Sequence, residues 1–238
     1  MVKISVITVC FNAASTLEKT ILSVLDQTYP NIEYIIIDGG STDGSVDIIK
    51  KYADQLAYWV SEPDNGIYDA MNKGKSYAQG DFLIFLGADD VFFSNEIISV
   101  ITPLMNKQEI YYGDSYMTKI RKIYWGKFNK YKLAIGNICH QAIFYPKNVY
   151  VVKDYDVSFR VFADYVYNLT LYPSVPFNYL NETISIFNYD GISCYRKDLV
   201  FESERNKIIK TTLGLIPLLV SLFYKQLVRI KKIINLYL

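Results

Sequence analysis

SVITVCFNAASTLEKTILSVLDQTYPNIEYIIIDGGSTDGS, residues 5–45, is the stretch whose pattern sets the fold. A β-rich run over 3–9 breaks at Asn12-Ala13-Ala14. Ser15-Thr16-Leu17-Glu18 has the spacing of a capping box. It opens a helix whose apolar residues Leu17, Ile21, Val24 and Leu25 share one face. Gln27-Thr28-Tyr29-Pro30 stops that helix, and a second strand over 33–37 runs into Asp38-Gly39-Gly40-Ser41-Thr42-Asp43-Gly44. A helix over 45–53 and a strand over 56–60 follow. Alternation at this spacing predicts right-handed crossovers and a parallel sheet, an α/β fold. Ligands of such sheets bind beyond the carboxyl ends of the strands. The loops at 10–12, 38–43, 61–66 and 87–90 therefore converge on one crevice, although they are far apart in sequence.

The last of these loops belongs to FLIFLGADDVF, residues 82–92. Phe82 to Leu86 reads as a buried strand, and Gly87-Ala88 turns the chain into adjacent carboxylates, Asp89 and Asp90. Hard oxygen ligands on a rigid support suit Mn²⁺ or Mg²⁺, which take a few carboxylates and complete their shell with substrate phosphates. The competing reading is a strand-to-helix connection with one Asp capping a helix near Ser94.

Composition narrows the class. The 238 residues are 51% apolar and 21% charged, enough for one large α/β domain with a core. A net charge of +1 argues against a dominant nucleic-acid surface. Cys10, Cys139 and Cys194 are few, odd in number and without metal-ligand spacing. They fit a reducing cytosol rather than a disulfide framework or a zinc site. The N-terminal apolar run is too short for a signal peptide, and no uninterrupted apolar run reaches the roughly 20 residues of a spanning helix. The 22 tyrosines are many, and those after 110 can fill a core or wall a flat ligand.

From about 110 the alternation becomes irregular. A strand over 110–112 leads to Gly113-Asp114, and 115–135 reads as a hairpin over the crevice. A strand over 138–145 and a helix over 159–171 follow. The pattern divides the chain into 1–206, with a first half over 1–110 and a second over 111–206, and a tail over 207–238. The tail holds Lys207, Lys210, Lys225, Arg229, Lys231 and Lys232 and no acid, so it carries +6 and the rest −5. Beyond Pro217, which interrupts the apolar run, Leu219, Phe223, Leu227, Ile230 and Ile234 share one helical face. Lys225, Arg229 and Lys232 share another. Such a helix suits the surface of an anionic bilayer. The alternative is a terminal helix docked on its own domain or on a second copy of the chain in a homodimer.

Residues 5–45, together with EPDNGIYDAMNKGKSYAQGDFLIFLGADD at 62–90, resemble the family 2 glycosyltransferases, closely over 3–92 and more loosely to about 190. The resemblance implies a GT-A fold, a nucleotide-sugar donor with UDP as the nucleotide, and inversion at the anomeric carbon. It is nearest the bacterial enzymes that build surface polysaccharides on lipid carriers. It implies roles residue by residue. Val9 and Phe11 edge the nucleobase, although Phe11 equally suits the core. Asp38 accepts a base or ribose proton, but the family's second acidic residue is replaced by Gly39. Asp43 is read as a helix cap. Asp69 lies near the nucleoside and Lys73 near phosphate, or the two form a surface pair four residues apart. Many relatives have Arg at the place of Met71. Asp64 and Asn65 shape the nucleotide pocket. Asp90 ligates the metal, and Asp89 holds ribose, the metal or its water. The motif's polar residue at the place of Gly87 is absent.

His140, the only histidine, is either packing or a ligand near the diphosphate. Asp164, in Phe162-Ala163-Asp164-Tyr165, resembles the later acidic motif that supplies a general base, or it is an N-cap. Asp154 and Asp156 are weaker candidates for the base. The expected activity is metal-dependent transfer of a sugar from a nucleotide-sugar to a polyprenyl-diphosphate-linked saccharide. The expected place is the inner face of the cell membrane, with the protein peripheral. Two alternatives remain. A sugar-phosphate nucleotidyltransferase would carry a Gly-rich, Arg- and Lys-bearing loop near the first strand, which is missing. A non-catalytic membrane-associated sugar-nucleotide-binding protein is favoured only by Gly39, Met71 and Gly87.

Overall fold

The computed structural model describes residues 1–106, 108–188 and 196–237, with side chains to Lys231. Cys194, and the side chains of Lys232 and Ile234, lie outside the described set. Strands β1 (Ile4–Cys10), β2 (Ile32–Asp38), β3 (Tyr58–Ser61) and β4 (Phe82–Phe85) are parallel in the order β3-β2-β1-β4. They are crossed over by α1 (Leu17–Leu25), α2 (Ser45–Lys51) and α3 (Ile67–Tyr77). All seven residues of β1 are buried, as expected of a central strand covered on both faces. Ile7 and Val9 face a cluster with Tyr68, Ala70 and Met71 of α3. Val6, Ile36 and Ile84 join Leu17, Ile21 and Val24 of α1 on the opposite face.

The second half makes the sheet mixed rather than purely parallel. It contributes β5 (Val91–Phe92), β6 (Ile110–Met117), β7 (Lys122–Tyr124), β8 (Ile143–Pro146) and β9 (Phe177–Phe187). The full order is β3-β2-β1-β4-β8-β6-β9-β5, with β7 on β6. β8 runs antiparallel to both β4 and β6, and thereby joins the two halves. The strand expected at 110–112 continues through Gly113 and Asp114 to Met117, because β9 pairs along its whole length.

Four local expectations are corrected. The capping box is absent: Thr16, not Ser15, precedes α1 without a side-chain cap, and Glu18 instead accepts from Lys51 and Tyr52. The strand expected from 138 begins only at Ile143. His140–Ala142 forms a 3₁₀ turn closed by the Ala142 N–H on the Cys139 carbonyl. Helix α7 (Ala163–Leu171) starts late because the Asp198 carboxylate takes the N–H groups of Val161 and Phe162. Pro217 does not interrupt the tail. It sits in the first turn of α9 (Leu215–Tyr237), where its missing N–H has no intrahelical partner to lose.

The shorter helices α4 (Ile97–Ile101), α5 (Lys130–Ile135) and α6 (Lys147–Tyr150) fill the connections, and α8 (Leu199–Leu213) precedes the tail. A division at 206/207 falls inside α8. Helix α9 packs on α5 and α8, and buries Leu218 and Ser221. Leu219, Phe223, Leu227 and Ile230 remain exposed. No helix among the described residues is long and apolar enough to cross a membrane.

Candidate active site

The carboxyl ends of β1, β2 and β3 are clasped by one side chain. Asp38 is fully buried and accepts from Cys10 Sγ at 3.2 Å, Ser61 Oγ at 2.6 Å, the N–H groups of Gly40 and Ser41, and Ser41 Oγ. Burial alone would raise its pKa, but the Ser41 and Ser61 hydroxyls and the Ser41 N–H hold it below the usual carboxylate range. With both oxygens engaged and none exposed, Asp38 staples the loops and has no lone pair left to offer a base or ribose. Val9 is buried, whereas Phe11, immediately past β1, is 64% exposed. Asp43 accepts from Ser45 and from the Ala14 N–H, so it ties the start of α2 to the turn before α1.

At the start of α3 the expected Asp69–Lys73 pair is not formed. Asp69 closes the preceding loop by accepting from the Asn65 N–H at 2.9 Å, and Lys73 pairs with Glu62 at 2.6 Å. Met71 points into the core. Asp154 is paired with Lys75, and Asp156 caps Ser158, which leaves both weaker base candidates engaged elsewhere.

Past β4, Asp89 and Asp90 turn back over Gly87. A methyl group on Gly87 would stand 2.8 Å from Asp90 Oδ2 and 3.2 Å from Asp89 Oδ1. The loop is braced by Thr20 Oγ1, which donates to the Asp90 carbonyl at 2.8 Å, and by the Asn188 N–H, 3.2 Å from Asp90 Oδ1. Burial, and then the charge of Asp89, push the Asp90 carboxyl up to about 7. Two carboxylates converging on one glycine that repel each other's ionisation form a donor set that a hard divalent cation relieves. No group of three or more His, Cys, Asp or Glu side chains converges on one point among the described residues. The pair thus suits an ion that takes its remaining ligands from water and phosphate. A cavity of about 180 Å³ opens beside Asp89, lined also by Thr16, Lys19, Thr118 and Asn188.

His140 is near enough to both this pair and Asp164 to feel their charge. Its Nδ1 is 3.6 Å from Asp164 Oδ2. Burial opposes its charged form, but contact with Asp164, reinforced by Asp90 and Asp89, holds the imidazolium above its ordinary pKa. Asp164 lies in the first turn of α7, past the N-cap Phe162, so it is not the cap. It accepts from Tyr68 Oη at 2.9 Å, Asn137 Nδ2 at 2.8 Å and the Tyr165 N–H at 2.8 Å. Asn137 is held in turn by Asn168, and Asn168 by Tyr145. Tyr68 and Asn137 carry no expectation from sequence. Their only signal is position, inside GIYDAMNKG and three residues before the histidine.

The family model described as Glycosyl transferase family 2 matches residues 5–171. A PGL/p-HBAD biosynthesis glycosyltransferase of Mycobacterium bovis is 32% identical over 200 residues, 79% of this chain and 78% of that protein. An uncharacterized glycosyltransferase of Mycobacterium tuberculosis is 35% identical over 171 residues, 68% and 65% of the two. Among solved structures, S. aureus TarS 1-349 in complex with UDP superposes with a TM-score of 0.68 at 17% identity, over 89% of this chain and 70% of that one. The chain spans 43% of the longer TarS structure. A Pyrobaculum calidifontis mannosyltransferase in complex with GDP-Man and Mn²⁺ superposes at 0.64 with 14% identity, over 87% and 62%. These structural likenesses establish the GT-A architecture, and the match over 5–171 with the sequence relatives establishes the rest: the chain belongs to the family 2 glycosyltransferases.

Proposed function

We propose that this glycosyltransferase moves a sugar from a UDP-sugar, with inversion, to a hydroxyl of a lipid-linked saccharide in bacterial surface polysaccharide synthesis. One observation carries the reading. A single histidine, His140, stands 3.6 Å from Asp164 and lies within the field of the Asp89–Asp90 pair. An in-line displacement needs a base for the incoming hydroxyl and charge stabilisation for the leaving diphosphate, on opposite sides of the reacting carbon.

Asp164 takes the proton of the acceptor hydroxyl. The oxygen forms its bond to the anomeric carbon as the bond to the diphosphate oxygen breaks, and the proton remains on Asp164. Tyr68 and Asn137 fix the orientation of the carboxylate. Asp90, with Asp89, holds Mn²⁺ or Mg²⁺, which when bound supplies positive charge for the departing diphosphate. Lys73, in the middle of α3 and paired with Glu62, serves the phosphates on the donor side in this reading. In this reading residues 1–110 bind donor, 111–206 bind acceptor, and 207–238 rest on the inner face of the membrane.

The exposed apolar residues of α9 with the basic, acid-free tail support the membrane placement. The name of the mycobacterial relative, a PGL/p-HBAD biosynthesis glycosyltransferase, is compatible with a lipid-borne acceptor. The UDP and UDP-GlcNAc complexes of TarS support the donor class, and the Mn²⁺ complex of the mannosyltransferase supports the ion. The test is a panel of UDP-sugars incubated with Mn²⁺ or with EDTA. Release of UDP, lost with EDTA, and a product of inverted anomeric configuration are expected. Release of pyrophosphate, or a retained configuration, overturns the reading.

A further inference from the structure

Asp164 is carried on α7, whereas Asn137, which donates to Asp164 Oδ2 at 2.8 Å, follows the end of α5. Both elements are fastened to one face of α8. Asp198, Phe201, Arg205 and Ile209 recur on that face at helical spacing, and all four are buried. At the head of the stripe Asp198 takes the N–H groups of Val161 and Phe162, just ahead of α7. Next along, the Phe201 ring packs with its centroid 5.4 Å from that of Tyr165, the neighbour of Asp164. About two turns past Asp198, Arg205 Nη2 donates at 2.7 Å to the carbonyl of Ala134, in the last turn of α5. Tyr165 Oη donates to the adjoining Leu133 carbonyl. The end of α5 is therefore tied to α7 and α8 a few residues ahead of Asn137.

Arg205 is an unusual anchor. It is only 5% exposed, and its Nη1 is buried without a partner. An incompletely bonded buried charge is destabilising, and an apolar side chain of similar volume often packs such a place as well or better. What a guanidinium adds is a charged donor for the last carbonyls of a helix, which have no partner within the helix and carry the negative end of its dipole. We propose that Arg205 is a positioning residue: by holding the end of α5 it sets Asn137 against Asp164 and so fixes the carboxylate that takes the acceptor proton. The proposal rests on the reading of Asp164 as the base. Asp164 Oδ1 is held independently, by Tyr68 Oη and the Tyr165 N–H. Arg205 thus acts on Oδ2, through Asn137 alone.

The test measures UDP release from the panel of UDP-sugars with Mn²⁺, together with thermal melting, on the full chain. The variants are Arg205→Met, Arg205→Lys, Asn137→Ala and the double variant Arg205→Met with Asn137→Ala. Arg205→Met should melt no lower than the wild type, and kcat should fall about 10- to 100-fold with the KM for donor unchanged. Arg205→Lys should recover most of that rate, because the ammonium keeps a donor for the Ala134 carbonyl. In the Asn137→Ala background, Arg205→Met should lower the rate no further, since two residues acting through one contact are not additive. A normal kcat in Arg205→Met, or a loss that adds in full to that of Asn137→Ala, overturns the proposal. A Met variant that melts well below the wild type overturns it as well, by making Arg205 a structural residue. Asp164→Asn, measured alongside, keeps the two readings apart. If it retains its rate, the base lies elsewhere and both readings fail. If it loses its rate while Arg205→Met does not, only the positioning role fails.

Discussion

His140 Nδ1 lies 3.6 Å from Asp164 Oδ2, and the same imidazole lies within the field of Asp90 and Asp89. The chain's only histidine is thus acted on by both carboxylate centres, as is the neighbouring Cys139.

Asp164→Asn should lower turnover by about 10²–10⁴ with donor affinity nearly unchanged, since a lost general base costs rate rather than binding. Single-turnover rates and UDP titration separate the two quantities. A variant that loses donor affinity but keeps its saturated rate would move Asp164 to the donor side.

Tyr68→Phe should preserve the fold and lower turnover about tenfold, because Asp164 keeps Asn137 and the Tyr165 N–H but loses one of its three donors. A lowered kcat with an unchanged KM for donor would mark Tyr68 as a positioning residue. A raised KM with normal turnover would contradict that role.

The pH dependence of metal binding follows from Asp90. Its carboxyl sits at about 7 in the folded chain against 3.8 ordinarily, so the native state holds the proton more tightly than the unfolded chain does. The stability this contributes is full below the unfolded value and is lost as pH rises through about 7. The metal-free protein should therefore weaken between those limits, and Asp90→Asn should raise its melting temperature at pH 8 while removing most activity. Mn²⁺ affinity should fall about tenfold per pH unit below 7, because one proton must leave for the ion to bind. An affinity flat from pH 5.5 to 7.5 would remove Asp90 from the ligand set.

Truncation after Tyr224 should abolish flotation with anionic vesicles and leave UDP-sugar hydrolysis intact. The cut keeps Leu218 and Ser221, which bury against the domain, and removes Lys225, Leu227, Arg229 and Ile230. Full-length protein should float at low salt and be released at high salt. Failure to float at low salt would make the exposed face of α9 a contact between protein chains.

The β1-α1-β2 unit and the strand before Asp89 were legible because period and burial are local properties: Leu17, Ile21 and Val24 announce their face from spacing alone. The surroundings of Asp164 were not. Tyr68 reaches it across 96 positions and Asn137 across 27, and no local pattern encodes such contacts. Asp38 read as available because its neighbours are small and polar, yet those same serines saturate it. Lys73 chose Glu62 over Asp69 because Asp69 was already closing the loop at Asn65.

The placement of β8 has a consequence for the growing chain. The outer flank of β4 is covered by Pro146 and Tyr145, paired with Phe82 and Leu83. Until some sixty further residues have left the ribosome, that flank is an open row of backbone donors and acceptors on an apolar strand, a template for mispairing. A fragment ending near residue 110 would keep the motifs for nucleotide binding and still be prone to aggregate. The late-arriving β8 covers that flank and joins it to β6.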